Sequence, residues 1–350
     1  MSAVLSRRPA RRLLLALVAL AALDPFLPGL LHRWEAARYE SDRVFRFENR
    51  DLFSLGPLVQ YLREHPRGRR PRVVFFGNSF VWGFLLPPGD SLPAQFQRLA
   101  PDVRVLNMAI VGFETGSAYL MTKRIIDAVD SIYLFYFGDT ANPMLPRLIT
   151  VEPEDLRRFA LRPPDPAESR LAALLGFWHL YRDAYRLQAA LFGAATRQYL
   201  FVHEASIRRD VWRAARGRAA PEGGARPQGR PVRTDLVQTK AEMASTPVTG
   251  ARRRQLAAAY PLLWDYAELV HGHGKRAVLV EIHGYSPPIA PADRADLNAI
   301  FRPHVLFQEV TIPKVLTSDG LHLSEEGARA VAQALHRSVP PSIARRASGS

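Results

Sequence analysis

Residues 73–83 read VVFFGNSFVWG, and the fold turns on how this stretch is taken. Val73, Val74, Phe75 and Phe76 run without a polar break into Gly77, Asn78 and Ser79. A run this short, stopped by Gly and Asn, has the length of a strand buried on both faces rather than that of a helix. Working outward, the same signal recurs. RVVFF (72–76), RVLNMAI (104–110), SIYLFYF (131–137) and RAVLVEI (276–282) all read as buried strands. Between them, helical patterning covers 91–100, 114–129 and 253–271, and a last helix is expected over 323–337. Ser324 can cap that helix, with Glu325 and Glu326 in its first turn. Strands alternating with helices predict an α/β protein, a three-layer αβα sandwich around a parallel sheet.

In a doubly wound sheet, ligands bind beyond the carboxyl ends of the strands. Ser79 falls there, where a following helix start can aim its N–H at a developing anion. A serine hydroxyl is a poor nucleophile until a base takes its proton, so the chain must supply a base and something to orient it. SDGLHLSEEGARAVA (318–332) offers both. Asp319 and His322, three apart before a helix, let a carboxylate hold one imidazole nitrogen while the other faces a serine. LNMAIVGFETG (106–116) places Gly112 after a strand, where a backbone N–H can reach an oxyanion. Each piece alone also fits a structural pair or an ordinary loop glycine.

Together, and in this order, the three pieces resemble the SGNH (GDSL) hydrolase family. Gly77-Asn78-Ser79 stands where the family has Gly-Asp-Ser. Asn107 and Gly112 match the second block, an Asn followed five residues later by Gly. Asp319 and His322 match the last block, with Gly327 in the helix start that often accompanies it. The resemblance covers about 71–142 and 275–337. It implies a flavodoxin-like sheet and a serine hydrolase that acts on an ester through an acyl-enzyme, without cofactor or metal. Ser79 would attack, His322 would shuttle the proton and Asp319 would orient His322. Gly112 and the Ser79 N–H would hold the oxyanion.

There are two departures. Asn78 replaces an aspartate that is neither nucleophile nor base in the family. The third block, Gly-x-Asn-Asp in the family, reads YFGDTANPM here (136–144). Gly138 fits, Thr140 holds the place of the oxyanion-donating asparagine, and Asn142 comes two residues late. Either Asn142 or Thr140 is expected to donate. Loss of one such donor costs about 10²–10³ in kcat.

The N-terminal segment sets the expected compartment. Residues 1–12 carry Arg7, Arg8, Arg11 and Arg12 and no acid; LLLALVALAALDPFLPGLL follows at 13–31. As a helix it spans about 28 Å, against a hydrocarbon core of roughly 30 Å. A cleaved signal peptide ending near Ala19–Ala21 and an uncleaved anchor both fit. Apolar character resumes after Asp24, which favours the anchor. The arginines then stay cytoplasmic and residues 32–350 lie outside the bacterial inner membrane, in the periplasm.

Residues 32–70 read as a polar stalk. The hydrolase-like domain is expected over 71–142 and 251–340, interrupted by a helical insertion at 143–250. That insertion holds an aromatic-rich amphipathic stretch and a loop, 216–233, dominated by Arg, Gly and Pro, that reads as disordered. The tail, 341–350, reads as disordered. With 47% apolar residues among 350 there is ample material for a core. The net charge of +14 suits acidic partners, but its arginines are scattered and form no aromatic-basic motif, so nucleic acid is not expected. The absence of cysteine excludes disulfides and thiolate chemistry. His271, His273, His283 and His304 lack an acidic partner at metal-binding spacing.

The expected function is an envelope carbohydrate esterase, removing O-acetyl groups from an acylated polysaccharide or cell-wall polymer. Two alternatives stand beside it. One is an O-acyltransferase of the same plan, served by a membrane-bound acyltransferase partner. The other is a non-catalytic binding module.

Overall fold

The computed structural model describes residues 12, 15, 18–19, 45–46, 62–64, 70–84, 86, 88–109, 114–141, 153–159, 236–282 and 288–338. The chain divides into two units, 1–41 with 161–201, and 42–160 with 202–350. Described residues of the first unit are Arg12, Leu15, Val18 and Ala19, all helical and exposed. The rest of the expected anchor, the aromatic stretch, the loop 216–233 and the tail lie outside the described residues. Among the described residues no helix is long and apolar enough to cross a membrane.

The second unit is an α/β fold. Its seven strands among the described residues are β1 (Phe45–Arg46), β2 (Arg72–Phe76), β3 (Arg104–Asn107), β4 (Ser131–Tyr136), β5 (Gln238–Lys240), β6 (Arg276–Ile282) and β7 (Val305–Thr311), in the order β1-β3-β2-β4-β6-β7-β5. All pairs are parallel except β5 with β7. The expected sheet is thus parallel at its centre and mixed at one edge. Leaving out the two edge strands, the chain visits positions in the order 2-1-3-4-5. β3 lies on one side of β2 and β4 on the other, which makes β2 the strand where the winding reverses. Crevices for ligands open at the carboxyl end of such a strand.

Described helices are α1 (Ser79–Trp82), α2 (Leu92–Leu99), α3 (Thr115–Ile125), α4 (Pro153–Arg158), α5 (Gly250–Ala259), α6 (Pro261–Gly272), α7 (Pro291–Phe301) and α8 (Glu325–Ser338). β2, β3 and β4 are buried along their whole length, as expected of strands covered on both faces. Side chains alternate between faces. Val73, Phe75, Tyr133, Phe135, Val278 and Val280 point to the side of α1, α2 and α8. Phe75 stacks on Tyr133 at 4.7 Å between ring centroids. Val74, Phe76, Ile132, Leu134 and Leu279, also buried, take the other face. There α3 meets α6, with Thr122 Oγ1 and Tyr266 Oη 2.8 Å apart. Burial of each such side chain is worth about 1.5–3 kcal/mol.

Several elements differ from expectation. The run 253–271 is two helices, because Pro261 at the start of α6 has no N–H to continue α5. The sheet also reaches past both expected domain limits. β1 lies within the expected stalk and pairs with β3, and β5 lies within the expected insertion and pairs with β7. β7 and α7 were not expected at all. Polar Gln308 and Glu309 interrupt the apolar run of β7.

One buried charge cluster holds that edge. Arg294 of α7, 1% exposed, donates to Glu281 of β6 (2.9 Å), Glu309 of β7 (2.5 Å) and Glu242 beyond β5 (2.6 Å). Asn298, one helical turn on, donates to the Phe307 carbonyl at 2.9 Å and accepts its N–H at 2.6 Å.

Candidate active site

β2 delivers the chain to the crevice, and three local devices shape the turn into α1. A Cβ at Gly77 would lie 2.5 Å from Val81 Cγ2 and 3.2 Å from Phe135 Cβ, so only glycine lets α1 fold back onto the strand. Asn78 caps α1: its Oδ1 accepts from Phe80 N at 3.0 Å. Its carbonyl takes the N–H groups of Val81 (3.1 Å) and Trp82 (2.9 Å). Asparagine caps about as well as aspartate, so this departure is conservative in structure. Gly83, with φ of 87°, ends the turn in the left-handed region. Ser79 is therefore the first residue of a one-turn helix, half-buried, and among the described residues nothing accepts its N–H.

β3 ends in Asn107, which is fully buried. Its Oδ1 accepts from Ala109 N at 3.2 Å and its Nδ2 donates to the Trp82 carbonyl at 3.4 Å. The residue ties the turn after β3 to the helix that carries Ser79. Gly112 lies outside the described residues.

The loop 317–323 brings in the base. Thr317 and Leu323 bridge its neck, and Ser318 N donates to the His322 carbonyl at 2.7 Å. Asp319 Oδ1 accepts the N–H groups of Leu321 (3.0 Å) and His322 (2.7 Å). Its Oδ2 lies 2.7 Å from His322 Nδ1. His322 Nε2 lies 3.0 Å from Ser79 Oγ, across 243 residues of sequence. An ionised carboxylate only accepts, so Nδ1 carries the proton and Nε2 is left to accept from the serine hydroxyl. Burial pushes the Asp319 carboxyl up, but the N–H and imidazole of His322 and the Leu321 N–H outweigh it and hold it below the ordinary aspartate value. The three expected residues Ser79, His322 and Asp319 are therefore brought together.

α8 anchors this loop. Ser324 Oγ accepts from Gly327 N at 3.0 Å, the expected cap, and donates to the Leu316 carbonyl at 2.9 Å. The Ser324 N–H reaches the same carbonyl at 2.9 Å. Gly327 lies so close that a Cβ there would sit 2.0 Å from Leu316 O.

The loop after β4 departs from expectation. Gly138 takes a positive φ of 86°. Asp139 turns away to α6 and accepts the N–H groups of Leu262 (3.2 Å) and Leu263 (3.0 Å). Burial raises its carboxyl above the ordinary value, the two N–H bonds opposing. Thr115 Oγ1 donates to the Gly138 carbonyl at 3.0 Å, and Gly116 N donates to Thr140 O at 3.1 Å. Thr140 Oγ1 donates to Glu114 Oε2 at 2.6 Å. A threonine hydroxyl has one proton, and here Glu114 holds it. Thr140, expected beside Asn142 as a possible oxyanion donor, is thus turned to Glu114 in this structure. Asn142 lies outside the described residues.

Two residues at the site carried no sequence signal. Glu114 precedes α3 without any motif, and the ring of Phe84 lies 4.6 Å from the His322 imidazole. His271, His273 and His304 sit at the opposite edge, where the strands begin, and His283 is outside the described residues. Among the described residues no cluster of His, Cys, Asp or Glu is built to hold a metal. Neither a scan against protein-family models nor a search of curated proteins finds a match to this chain.

Proposed function

We propose that this chain is an SGNH-type serine esterase that cleaves O-acyl groups, foremost O-acetyl, from cell-envelope carbohydrate. One observation carries the reading: Ser79 Oγ, both His322 nitrogens and Asp319 Oδ2 form a continuous relay with steps of 3.0 and 2.7 Å. In the proposed reaction Ser79 Oγ attacks the ester carbonyl while His322 Nε2 takes its proton. Asp319 holds the imidazole in the tautomer that can accept and stabilises the imidazolium. The tetrahedral oxyanion meets the Ser79 N–H, with the Gly112 N–H and Asn142 assigned by the resemblance. Collapse expels the sugar hydroxyl, protonated by His322. Water, deprotonated by the same imidazole, then releases acetate and restores Ser79.

The envelope setting is part of the proposal. Residues 13–31 serve as a single-pass anchor. Its support is the apolar run that follows Arg7, Arg8, Arg11 and Arg12 in the sequence.

The test is labelling with a fluorophosphonate probe, followed by acetate release from O-acetylated glycan. Wild type should label, and Ser79→Ala and His322→Ala should not. A folded wild type that neither labels nor releases acetate overturns the reading.

A further inference from the structure

We infer that Phe84 is a positioning residue for the base, an inference that rests on the serine-esterase reading above. Every polar atom of His322 is engaged within the loop or with the serine. Nδ1 and the backbone N–H meet Asp319, the carbonyl takes Ser318 N–H, and Nε2 meets Ser79. These contacts fix the edge of the imidazole. None of them fixes rotation of the ring plane about the line joining Asp319 and Ser79. Phe84 does, its ring standing over the imidazole at 4.6 Å between centroids and tilted 38°.

Phe84 is itself held by the nucleophile. Its N–H donates to the Ser79 carbonyl at 3.0 Å, directly after the left-handed Gly83. Its side chain is half-buried and packs on the core cluster that includes Phe80, Trp82, Leu316 and Leu323. One residue thus links the helix of the nucleophile to the ring of the base. The ring stays where it is only if both the Ser79 turn and the 317–323 loop are in place. It also covers one face of the imidazole from water, so the developing imidazolium is neutralised by Asp319 rather than by solvent.

The test compares full-length wild type with Phe84→Leu and Phe84→Tyr. Two quantities are read: the NMR resonance of the His322 ring ε1 proton, assigned by its loss in His322→Gln, and the rate of Ser79 labelling by the fluorophosphonate probe. In Phe84→Leu the resonance should move downfield as the aromatic ring current disappears, and labelling should slow about tenfold. Phe84→Tyr should restore both. Urea denaturation of each variant identifies any global loss of fold. An unmoved resonance and an unchanged rate in folded Phe84→Leu overturn the inference. So does equal slowing in Phe84→Tyr, because that points to side-chain size and not to the aromatic face. If the resonance shifts as expected while wild type itself fails to label, the ring contact stands, and the esterase reading and the catalytic use of Phe84 fall together.

Discussion

The substitution Gly327→Ala tests how the catalytic loop is held, and its cost can be worked from the geometry. A Cβ at 327 would meet Leu316 O at 2.0 Å, Leu316 C at 3.0 Å and Leu316 Cβ at 3.2 Å. The first contact is with backbone, so no rotamer relieves it. Ordinary carbon–oxygen contacts lie near 3.3 Å, so helix and carbonyl must part by about 1.3 Å. Leu316 O now accepts from both Ser324 N and Ser324 Oγ at 2.9 Å, and that displacement carries both beyond hydrogen-bond reach. Two lost bonds at about 1 kcal/mol each, with overpacking strain of about 1–3 kcal/mol, give a destabilisation of roughly 3–5 kcal/mol. The same carbonyl lies one residue before the neck of the loop that carries His322. If half the displacement reaches the imidazole, the 3.0 Å contact with Ser79 lengthens past hydrogen-bond range. Misplacement on the order of 1 Å costs about 10² in rate.

The assay is urea denaturation alongside the rate of fluorophosphonate labelling. Gly272→Ala is the matched control. Nothing lies within 4 Å of a Cβ at Gly272, at the end of α6, so this change should leave labelling alone and be neutral or stabilising by up to about 1 kcal/mol. If Gly327→Ala labels and unfolds like wild type, α8 is not wedged against Leu316 and the reasoning fails.

Three further predictions follow from the same geometry. Thr140→Ala should keep a labelling rate within about threefold of wild type, because its proton serves Glu114; a fall of about 10²–10³ would instead identify an oxyanion donor. Arg294→Leu should cost about 3–5 kcal/mol in denaturation experiments, because Glu281, 1% exposed, loses a buried counter-charge; a cost below 1 kcal/mol would show that the cluster is solvated. The folded pKa of Asp319 lies below its unfolded value of about 3.9, so its contribution is present above about pH 4 and is lost as pH falls through the lower folded value. The stability gap between wild type and Asp319→Asn should therefore close on acidification, and a gap unchanged down to pH 3 would refute the assignment.

What was legible in the sequence depended on whether the relevant partner was local. Four central strands could be read because apolar residues fill the middle of each, with polar ones only near the ends, a signal contained within its own residues. β7 could not. Its Gln308 is buried, and its Glu309 is neutralised by Arg294 from α7, a partner fifteen residues earlier that no periodicity announces. The cap at Ser324 was legible because capping is a relation between neighbours.

The Ser79–His322 contact spans 243 residues, so its geometry was invisible, and only the residue types in their order pointed to it. The third block shows the limit of that approach. The position of Thr140 was readable, but its partner Glu114 lies 26 residues upstream, and the hydrogen bond between them decides where the hydroxyl proton goes. Asp139 beside it was equally silent, although its carboxylate fastens the loop to the start of α6. With Thr140 and Asp139 both committed to helices, the described part of this loop is used for anchoring. A side-chain donor to the oxyanion from this loop would then have to come from beyond Ala141, and Asn142 is the first such residue.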